Sequence, residues 1–459
     1  MSFAVIVLAA GKGTRMKSDL PKVLHRAAGR SLLDWVLATT EPLAADETVV
    51  VVGHGAEAVS DSLPEGAVSV VQEPQLGTGD AVRVGLSACS DRVDTVLVVP
   101  GDMPLLEAKT LVDMVKTHHS AGAAGTVLTA KVDDPTGYGR IERRGAQVVR
   151  IVEHRDADDR QRAIDEVNTS VYVFERGPLT DALARLGTDN SQGEYYLTDV
   201  IGLLSHRGHR VAGVVADAVE GTGVNSHRQL AGVARILRSR INERLMENGV
   251  AMVDPDRVYI DAGVEVAAGA RIYPDVHLEG STVVGAGAEV GPNVHGRNAT
   301  IADGAVVRFS VLDGASIGTG ATVGPFTYLR PGADLAERSK AGAFVEIKNS
   351  TVGIGSKVPH LSYIGDTTIG TGTNIGAATV TVNYDGYEKH RTEIGDNVRI
   401  GSDTMLVAPV TIGDEAYTGA GSVITKDVSP GALAIERSSQ REIPGYAERR
   451  KRRAAQDGE

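Results

Sequence analysis

The sequence predicts a chain in two parts, a doubly wound α/β sheet followed by a parallel β-helix. Three observations lead to this prediction. Strand-like runs alternate with helical patterns up to about residue 225, an apolar period of six follows, and the composition suits strands. Only 4% of the 459 residues are aromatic, although 42% are hydrophobic and 54 are glycine. Small and β-branched side chains must therefore fill most of the core.

Charge and cysteine content exclude several classes of protein. The formal net charge of −12 argues against a general nucleic-acid binder, whose binding surface is normally basic. The single cysteine, Cys89, allows no intramolecular disulfide and supplies no thiolate set for structural zinc. No run approaches the ~18 apolar residues of a membrane span, and no basic residue precedes the apolar run at Phe3–Ala10. We expect a cytoplasmic protein with no nucleic-acid partner and no membrane insertion.

The first part alternates strands with helices, which predicts a mostly parallel sheet. Its strand-like runs are Ala4–Leu8, Thr48–Val52, Val68–Val71, Thr95–Val99, Thr126–Ala130, Val167–Phe174 and Val211–Val215. Its helical patterns include Leu32–Ala38, Asp80–Ala88 and Leu106–Thr117. Ligands of such sheets bind beyond the carboxyl ends of the strands, so candidate residues are Ala10, Gly11, Gln72, Gly101 and Asp102.

The first strand runs into a glycine turn, AGKG at residues 10–13, followed by two cations at Arg15 and Lys22. It is not a P-loop, because Ile6 stands where the first glycine of that motif is needed. It is not a dinucleotide fingerprint either, because Met16 replaces the third glycine. Free backbone amides and nearby positive charge still predict that this turn holds a phosphate chain.

The second part begins after a helical pattern that runs from a cap at Ser226 to a stop at Gly249. Apolar residues then recur every six positions, which predicts a hexapeptide β-helix. The period breaks around Ala333–Phe344 and Thr379–Arg391, where we expect loop excursions. We place a first domain at 1–228, a helical linker at 229–249, the β-helix at 250–436 and a disordered basic tail at 437–459.

Longer motifs carry a family resemblance. GTGDA at Gly77–Ala81, PGDMPL at Pro100–Leu105 and DPTGYGRI at Asp134–Ile141 resemble those of the sugar-1-phosphate nucleotidyltransferases. With PHLSYIGD at Pro359–Asp366 and TVNYDG at Thr381–Gly386, nearly the whole chain resembles the bacterial bifunctional uridyltransferases and acetyltransferases that make UDP-N-acetylglucosamine. The resemblance implies a Rossmann-like nucleotidyltransferase domain, a left-handed β-helix, and homotrimers with acetyl-transfer sites between subunits.

For the first domain the resemblance implies that a sugar phosphate attacks the α-phosphorus of UTP and expels pyrophosphate. Mg²⁺ would be bound by Asp102 and Asn225, since this ion takes one or two carboxylates together with phosphate oxygens. Arg15 and Lys22 would be catalytic cations. UTP or the UDP-sugar would contact Leu8, Ala9, Ala10, Gly11, Lys22, Gln72, Gly77, Thr78, Gly139, Glu153, Asn168 and Asn225. Pro100 departs from relatives that carry Tyr before the Gly-Asp pair.

For the β-helix the resemblance implies acetyl transfer from acetyl-CoA to glucosamine-1-phosphate. His360 would be the general base, because a protonated amine has no lone pair and His titrates near working pH. Glucosamine phosphate would be bound by Arg330, Lys348, Tyr363 and Asn374. Acetyl-CoA would be bound by Asn383, Tyr384, Lys389, Ser402, Ala420 and Arg437, with Lys389 also near the sugar phosphate.

Three alternatives remain open from the residues. A nucleotidyltransferase for another sugar would keep the glycine turn and Asp102, but it would have no use for His360. A regulatory subunit of the same plan would lack Arg15, Lys22 and Asp102, all of which are present. A zinc hydratase would need a tight histidine cluster, which the pattern of His277, His295, His360 and His390 does not offer.

Overall fold

The computed structural model describes residues 2–457. The chain forms two compact units, Met1–Ile241 and Asn242–Glu459. Within the described residues, no helix is both long enough and apolar enough to cross a membrane.

The first unit is built on one large sheet flanked by helices. Its strands are β1 (Ser2–Leu8), β2 (Arg26–Ala27), β3 (Arg30–Ser31), β4 (Glu47–Val52), β5 (Ala67–Val71), β6 (Val93–Pro100), β7 (Gly125–Lys131), β8 (Arg140–Arg144), β9 (Gln147–Val152), β10 (Glu166–Glu175) and β11 (Val211–Ala216). Its helices are α1 (Leu32–Thr40), α2 (Ala56–Asp61), α3 (Thr78–Ala88), α4 (Ala108–Ser120), α5 (Asp159–Arg162), α6 (Arg176–Leu183), α7 (Thr198–His206) and α8 (His227–Glu247), the last of which crosses the boundary between the units.

The strand order is β11-β7-β10-β6-β1-β4-β5, with a β8–β9 hairpin attached to β10. All neighbours along this path are parallel except β10, which is antiparallel to β6 and β7. The seven strand-like runs of the sequence all fall on strands, which confirms the doubly wound sheet. Because Leu8 pairs with both Val51 and Pro100, the carboxyl ends of β1, β4 and β6 lie side by side.

The core lies on both faces of this sheet, because alternate residues of one strand point in opposite directions. In β1, Ala4 and Ile6 pack into one apolar cluster, while Val5 and Val7 pack into the other. All four are fully buried. Because both faces of the sheet are covered, β1 can be a continuous apolar run. This burial also explains why β-branched residues can fill the core in place of aromatic ones.

The second unit is a parallel β-helix of three ladders. The first contains β12 (Ala251–Met252), β15 (Arg271–Ile272), β18 (Glu289–Val290), β21 (Val306–Val307), β24 (Thr322–Val323), β27 (Lys340–Ala343) and β30 (Lys357–His360). The second contains β13 (Val258–Ile260), β16 (Val276–Glu279), β19 (Val294–Arg297), β22 (Ser310–Asp313), β25 (Thr327–Leu329), β28 (Glu346–Lys348), β31 (Tyr363–Gly365), β33 (Val380–Val382), β35 (Met405–Val407) and β38 (Val423–Ile424). The third contains β14 (Glu265–Val266), β17 (Val283–Val284), β20 (Thr300–Ile301), β23 (Ser316–Ile317), β26 (Ala333–Leu335), β29 (Ser350–Val352), β32 (Thr367–Ile369), β34 (Thr392–Ile394) and β36 (Val410–Ile412), and β37 (Tyr417–Thr418) pairs with β39 (Leu433–Ala434).

One of the two predicted excursions is wrong. Residues 333–344 form β26 and β27, which pair in register with the coils on either side. The period is unbroken there, because Ala341 takes the inward position six residues after Leu335 and is fully buried. A small inward residue made the repeat look interrupted.

The other excursion is present but shorter than expected. Val380–Val382 remains in the second ladder, and residues 383–391 form the loop. Partners in the third ladder are 17 residues apart at Thr351 and Thr368, but 25 apart at Thr367 and Thr392. The loop therefore adds eight residues to one coil.

Two segments outside the two cores are helical. Helix α8 covers most of the predicted linker at 229–249, and the boundary between the two units falls within it, between Ile241 and Asn242. In the basic tail, residues 446–456 form helix α9 (Tyr446–Gln456), which has no buried side chain. Good helix formers, Ala, Glu, Arg, Lys and Gln, explain a helix that forms without burying a side chain.

Candidate active sites

A cleft of about 1200 Å³ opens at the carboxyl edge of the first unit's sheet. Most of the predicted nucleotide residues line it: Leu8, Ala9, Ala10, Gly11, Arg15, Lys22, Gln72, Gly77, Thr78, Asp102, Asn168 and Asn225. Gly139 and Glu153 are not part of the lining. Gly139 adjoins it through Asn168, whose backbone N–H donates to the Gly139 carbonyl at 2.9 Å, and Glu153 lies next to Gly139, where a Cβ would be 3.6 Å from its Oε1.

The glycine turn forms one wall of the cleft. Gly13 has φ +58°, and a Cβ there would lie 2.7 Å from Cβ of Lys22, so only glycine fits between the turn and the following segment. Ala10 is fixed through its carbonyl, which accepts from the side chain of Gln75 at 2.8 Å and from the backbone N–H of His54 at 3.3 Å. Arg15 follows in a short 3₁₀ turn and is exposed. The turn thus presents backbone and positive charge to the cleft.

The two predicted metal ligands meet around one cation. Nζ of Lys22 makes an ion pair with Asp102 and donates to Oδ1 of Asn225 at 3.1 Å. Lys22 and Asp102 are both 15% exposed at the side chain. Asn225 is brought to this position because the preceding residue, Val224, donates its backbone N–H to the Asp102 carbonyl at 2.9 Å. A carboxylate and an amide oxygen around one positive charge are a donor set that fits Mg²⁺.

The predicted uracil residues lie together at the start of α3. Gln72 follows β5 and is 4% exposed, and its Nε2 donates to the Gly77 carbonyl at 3.0 Å. Thr78 accepts from the backbone N–H of Leu197 at 3.1 Å, which ties the segment before α7 to this helix. The sequence analysis missed Asp80, whose carboxylate also accepts from Nε2 of Gln72 at 2.8 Å. Its position inside the GTGDA motif was the available signal.

The predicted sugar residues are held by buried polar contacts. Nδ2 of Asn168 donates to the hydroxyl of Tyr172 at 2.7 Å, a second residue that the sequence analysis missed. Glu153 accepts from the hydroxyl of Thr198 at 3.2 Å. Burial raises the pKa of Glu153, and the nearby carboxylates of Asp156 and Asp199 raise it further. A carboxyl group in this setting binds polar ligand groups with little competition from water.

Three of the predicted glucosamine-phosphate residues lie on the second ladder of the β-helix. Tyr363 pairs with Glu346 of the neighbouring strand, and Glu346 accepts from Arg330 at 2.8 Å. Lys348 pairs with Gly365 in the same ladder. A Cβ at Gly365 would lie 2.5 Å from the hydroxyl of Tyr363, so the absence of a side chain lets this ring lie across the strand. The result is a patch of two cations and a phenol.

The excursion loop adds to this patch. Asn383 donates to Asp366, which is 6% exposed and also accepts from Asn349 at 2.6 Å. Burial alone would raise the pKa of Asp366, but these two hydrogen bonds hold it below its usual value. Lys389 lies against Lys348, and that contact lowers the pKa of Lys389. Two ammonium groups held this close favour an anionic ligand.

His360 and Asn374 lie on the first ladder instead. His360 ends β30 and pairs with Ala343, while Asn374 bridges to Lys357 at the start of the same strand. A corner at Leu361 with φ +49° separates His360 from Tyr363 of the second ladder. The imidazole is exposed and makes no hydrogen bond within residues 2–457. It is therefore accessible to a substrate.

Three further predicted acetyl-CoA residues, Ser402, Ala420 and Arg437, lie in the following coils. Arg437 donates to the carbonyl of Ala420 at 2.8 Å, and the backbone N–H of Gly421 donates to the carbonyl of Ser402 at 2.8 Å. Tyr384 is exposed on the excursion loop, where its hydroxyl donates to the carbonyl of Gly386 at 2.7 Å.

Family models match both parts of the chain. Residues 5–194 match the MobA-like NTP transferase domain, and residues 391–426 match six repeats of the bacterial transferase hexapeptide. Nucleotide substrates are thus expected of the first unit, in agreement with its cleft. The two matches also confirm the Rossmann-like domain and the hexapeptide repeats predicted from the sequence.

Similar proteins span almost the full chain. A protein of Streptomyces avermitilis named bifunctional protein GlmU is 52% identical over 455 residues, which are 98% of this chain and 94% of that protein. Proteins of the same name from Thermobifida fusca and Mycolicibacterium vanbaalenii are 51% and 49% identical, covering 98% of this chain and 94% and 93% of theirs. The alternatives with one activity or none are therefore set aside. The chain belongs to the GlmU family of bifunctional transferases, which unite a uridyltransferase and a hexapeptide acetyltransferase in one chain.

Proposed function

We propose that the chain acetylates glucosamine-1-phosphate with acetyl-CoA and then transfers UMP from UTP to the N-acetylglucosamine-1-phosphate formed. The products are UDP-N-acetylglucosamine and pyrophosphate, and the nucleotide sugar supplies peptidoglycan and other envelope precursors. The observation that carries the proposal is the presence of two separate polar sites, one in each unit, whose residues suit these two reactions.

In the first unit, the glycine turn and its cations bind the triphosphate of UTP. Both reactants are polyanions, so positive charge must offset their repulsion before an oxygen of the sugar phosphate can reach the α-phosphorus. Arg15 is accessible to supply that charge, and Lys22 lies deeper in the cleft beside Asp102. No covalent nucleophile is needed, because in-line positioning and electrostatic stabilisation are the main requirements of this chemistry.

Asp102 and Asn225 are the residues that would hold Mg²⁺. The support is chemical, since their oxygens already surround one cation, the ammonium of Lys22. When bound there, Mg²⁺ would neutralise phosphate charge and so favour attack on the α-phosphorus. The protein's own part is to hold both oxygens in one place through the contact between residue 224 and residue 102.

The base and the sugar are assigned to two different groups of residues, and in the sugar group only Asn168 lines the cleft. Gln72, Gly77 and Thr78 would bind the uracil, and Gly139, Glu153 and Asn168 would bind the amino sugar. Each group is a set of neighbours that share hydrogen bonds or close contacts. Leu8, Ala9, Ala10 and Gly11 complete the UTP site by following β1 to its carboxyl end.

In the second unit, Arg330, Lys348, Tyr363 and Asn374 would bind glucosamine-1-phosphate. Lys389 would strengthen this site, because it brings a second ammonium group against Lys348. His360 would take a proton from the amine of the sugar, which frees the lone pair that attacks the thioester carbon of acetyl-CoA. The thiol of coenzyme A leaves as the amide forms.

Coenzyme A would bind along the last coils. Its contacts are assigned to Asn383, Tyr384, Lys389, Ser402, Ala420 and Arg437. Arg437 can meet an anionic group of the coenzyme because it lies on an exposed coil edge. Ser402 and Ala420 follow one another in consecutive coils, which gives an extended ligand a continuous track.

We assign the enzyme to the cytoplasm and its assembly to a homotrimer formed through the β-helix. Exposed apolar side chains support association. Phe326, Phe344 and Leu361 occupy corner positions of successive coils and are 58%, 58% and 60% exposed. The rings of Phe326 and Phe344 stack with centroids 5.2 Å apart. A strip of this kind is costly to leave in water, so burial against another copy would stabilise it.

The test is to assay the purified full chain for each reaction separately. UDP-N-acetylglucosamine and pyrophosphate should form from UTP and N-acetylglucosamine-1-phosphate in the presence of Mg²⁺. Free thiol should appear from acetyl-CoA when glucosamine-1-phosphate is added and not when glucosamine is added. Absence of either reaction in folded protein would refute the corresponding half of the proposal.

A further inference from the structure

The amide group of Gln72 has only one possible orientation. Its Nε2 lies 3.0 Å from the carbonyl oxygen of Gly77 and 2.8 Å from Oδ2 of Asp80. Both partners are acceptors, so they can pair only with the two N–H bonds of the amide nitrogen. A flipped amide would set oxygen against oxygen at both places. Oε1 is therefore the polar atom of Gln72 that remains for a ligand.

Asp80 is itself held in place from its other side. It lies in the first turn of α3 and is 6% exposed, and its Oδ1 is paired with the guanidinium of Arg83. That guanidinium lies over the ring of Tyr195, 5.4 Å from its centroid. Tyr195 is fixed by its backbone, which donates to Leu76 at 2.9 Å and accepts from Gly79 at 2.8 Å. The carboxylate thus has a fixed position from which to orient Gln72.

The neighbouring backbone supplies donors. Gly77 is the N-cap residue of α3 and Thr78 is its first residue, and the N–H groups at a helix start have no partner inside the helix. Both residues line the cleft together with Gln72. An acceptor, Oε1, therefore lies beside a pair of backbone donors.

We propose that Asp80 is a positioning residue that sets the base specificity of uridylyl transfer by locking Gln72 as a hydrogen-bond acceptor. Uracil presents a donor at N3–H beside an acceptor at O4, which complements this arrangement. Cytosine presents an acceptor at N3 beside a donor at its amino group, which opposes it. The inference rests on the proposed role of Gln72 and its neighbours in binding the base of UTP.

The test compares UTP with CTP in the full-length enzyme carrying Asp80→Asn. An asparagine can donate to Gln72 as well as accept, so the amide is no longer locked. The ratio of kcat/KM for UTP to that for CTP should fall roughly tenfold, the effect of one hydrogen bond of ordinary strength. The loss for UTP should lie mainly in KM. Asp80→Ala should change the ratio in the same direction.

Control variants distinguish the proposed effect of Asp80 on the Gln72 amide from a folding defect and from an error in the assignment of the base site. Asp34→Asn removes a carboxylate from the first turn of α1, where it forms a capping box with Ser31, and it should leave the ratio unchanged. Acetyl transfer should stay normal in every variant. An unchanged UTP to CTP ratio in folded Asp80→Asn would overturn the proposal. If Gln72→Ala also leaves KM for UTP unchanged, the proposed base site is wrong; if Gln72→Ala raises that KM, only the lock is wrong.

Discussion

The ammonium of Lys22 and the carboxylate of Asp102 form an ion pair in which each side chain is only 15% exposed. A divalent cation that binds Asp102 would share this carboxylate with the ammonium of Lys22. The pair therefore holds a carboxylate in a fixed position just beyond the end of β6, where it lines the cleft. Because the proposed Mg²⁺ ligand is also the ionic partner of Lys22, Asp102 is the residue to change first.

Asp102→Asn should impair uridylyl transfer and leave acetyl transfer unchanged. A neutral amide cannot match a carboxylate as a ligand for Mg²⁺, and it also leaves Lys22 without its ionic partner. The loss in kcat/KM should be at least the roughly 10–100-fold that removal of an outer-shell partner costs. Initial rates across a magnesium titration measure it.

The matched control is Asp113→Asn on α4. Asp113 also pairs with a lysine, Lys116, at 3.6 Å, but both side chains are more than half exposed. An exposed pair of this kind contributes little, so both activities should stay at the parent level. Normal uridylyl rates for Asp102→Asn at every magnesium concentration would remove Asp102 from the metal site.

Much of the fold was predictable because it depends on periodicity. The alternation of strand-like runs with helical patterns predicted the sheet of the first unit, and the apolar period of six predicted the β-helix. The error at residues 333–344 arose because Ala341 fills an inward position usually taken by a larger residue. The size of a side chain in the sequence does not show whether it points into or out of the β-helix. Only pairing between distant coils shows that the ladder continues.

The candidate sites were predictable where a motif or a strand end marks the residue, and less so where the residue acts through a contact between side chains. Asp102 and Gln72 follow strands, so their position at the carboxyl edge could be inferred. Asp80 and Tyr172 look like an ordinary first-turn acid and an ordinary strand aromatic. Their roles depend on hydrogen bonds to Gln72 and Asn168, and these appear only once the chain is folded.

The two units should be separable by truncation. Their sheets and apolar clusters do not interleave. A fragment of residues 1–249 should retain uridylyl transfer and be monomeric, and fragments 227–459 and 251–459 should retain acetyl transfer and be trimeric. Activity assays and light scattering measure this. A fragment 1–249 that is folded, binds Mg²⁺ and is inactive would contradict the division.

The start of the second fragment provides a finer comparison. Asn242 is 1% exposed, and its Nδ2 donates to the carbonyls of Pro255 and Val258 at 2.9 and 3.0 Å. The fragment 251–459 lacks these hydrogen bonds. It should therefore unfold at a lower temperature than the fragment 227–459, although both should catalyse acetyl transfer.

Unfolding of the first unit should depend on pH through His118. Its ring is fully buried, with Nδ1 2.9 Å from the hydroxyl of Thr126 and Nε2 3.1 Å from Glu175. Burial lowers the pKa of His118 below its usual 6.5, although the contact with Glu175 opposes this shift. The unfolded chain therefore binds a proton near pH 6.5 that the folded unit does not. Stability is fully present above that pH and falls as the pH drops below it.

His118→Gln should remove this part of the pH dependence. The urea midpoint, followed between pH 8 and pH 5.5 by the fluorescence of Trp35, the single tryptophan, measures it. His206→Gln on α7 is the control, because this histidine of the same unit is exposed and should matter little. If the parent and His118→Gln lose stability equally on acidification, the effect comes from other groups.

His360→Ala should lower acetyl transfer by roughly 10²–10⁴-fold, the usual effect of a positioned proton transfer. Binding of glucosamine-1-phosphate should change much less, because Arg330 and Lys348 remain on the second ladder. Uridylyl transfer should stay near normal, since its residues belong to the other unit. Assembly should also persist, because the inward residues of the coils are intact. Higher pH should recover part of the rate by deprotonating the amine without help from the enzyme.

The matched control is His295→Ala, which removes another exposed histidine of the β-helix. His295 contacts Glu279 at 3.3 Å in an early coil, and its loss should leave both activities unchanged. Equal loss of both activities in His360→Ala would indicate a folding defect, which thermal unfolding would reveal. A folded His360→Ala that acetylates glucosamine-1-phosphate at the parent rate at neutral pH would rule out the imidazole as general base. Deprotonation of the amine would then have to come from solvent or from another residue of the patch.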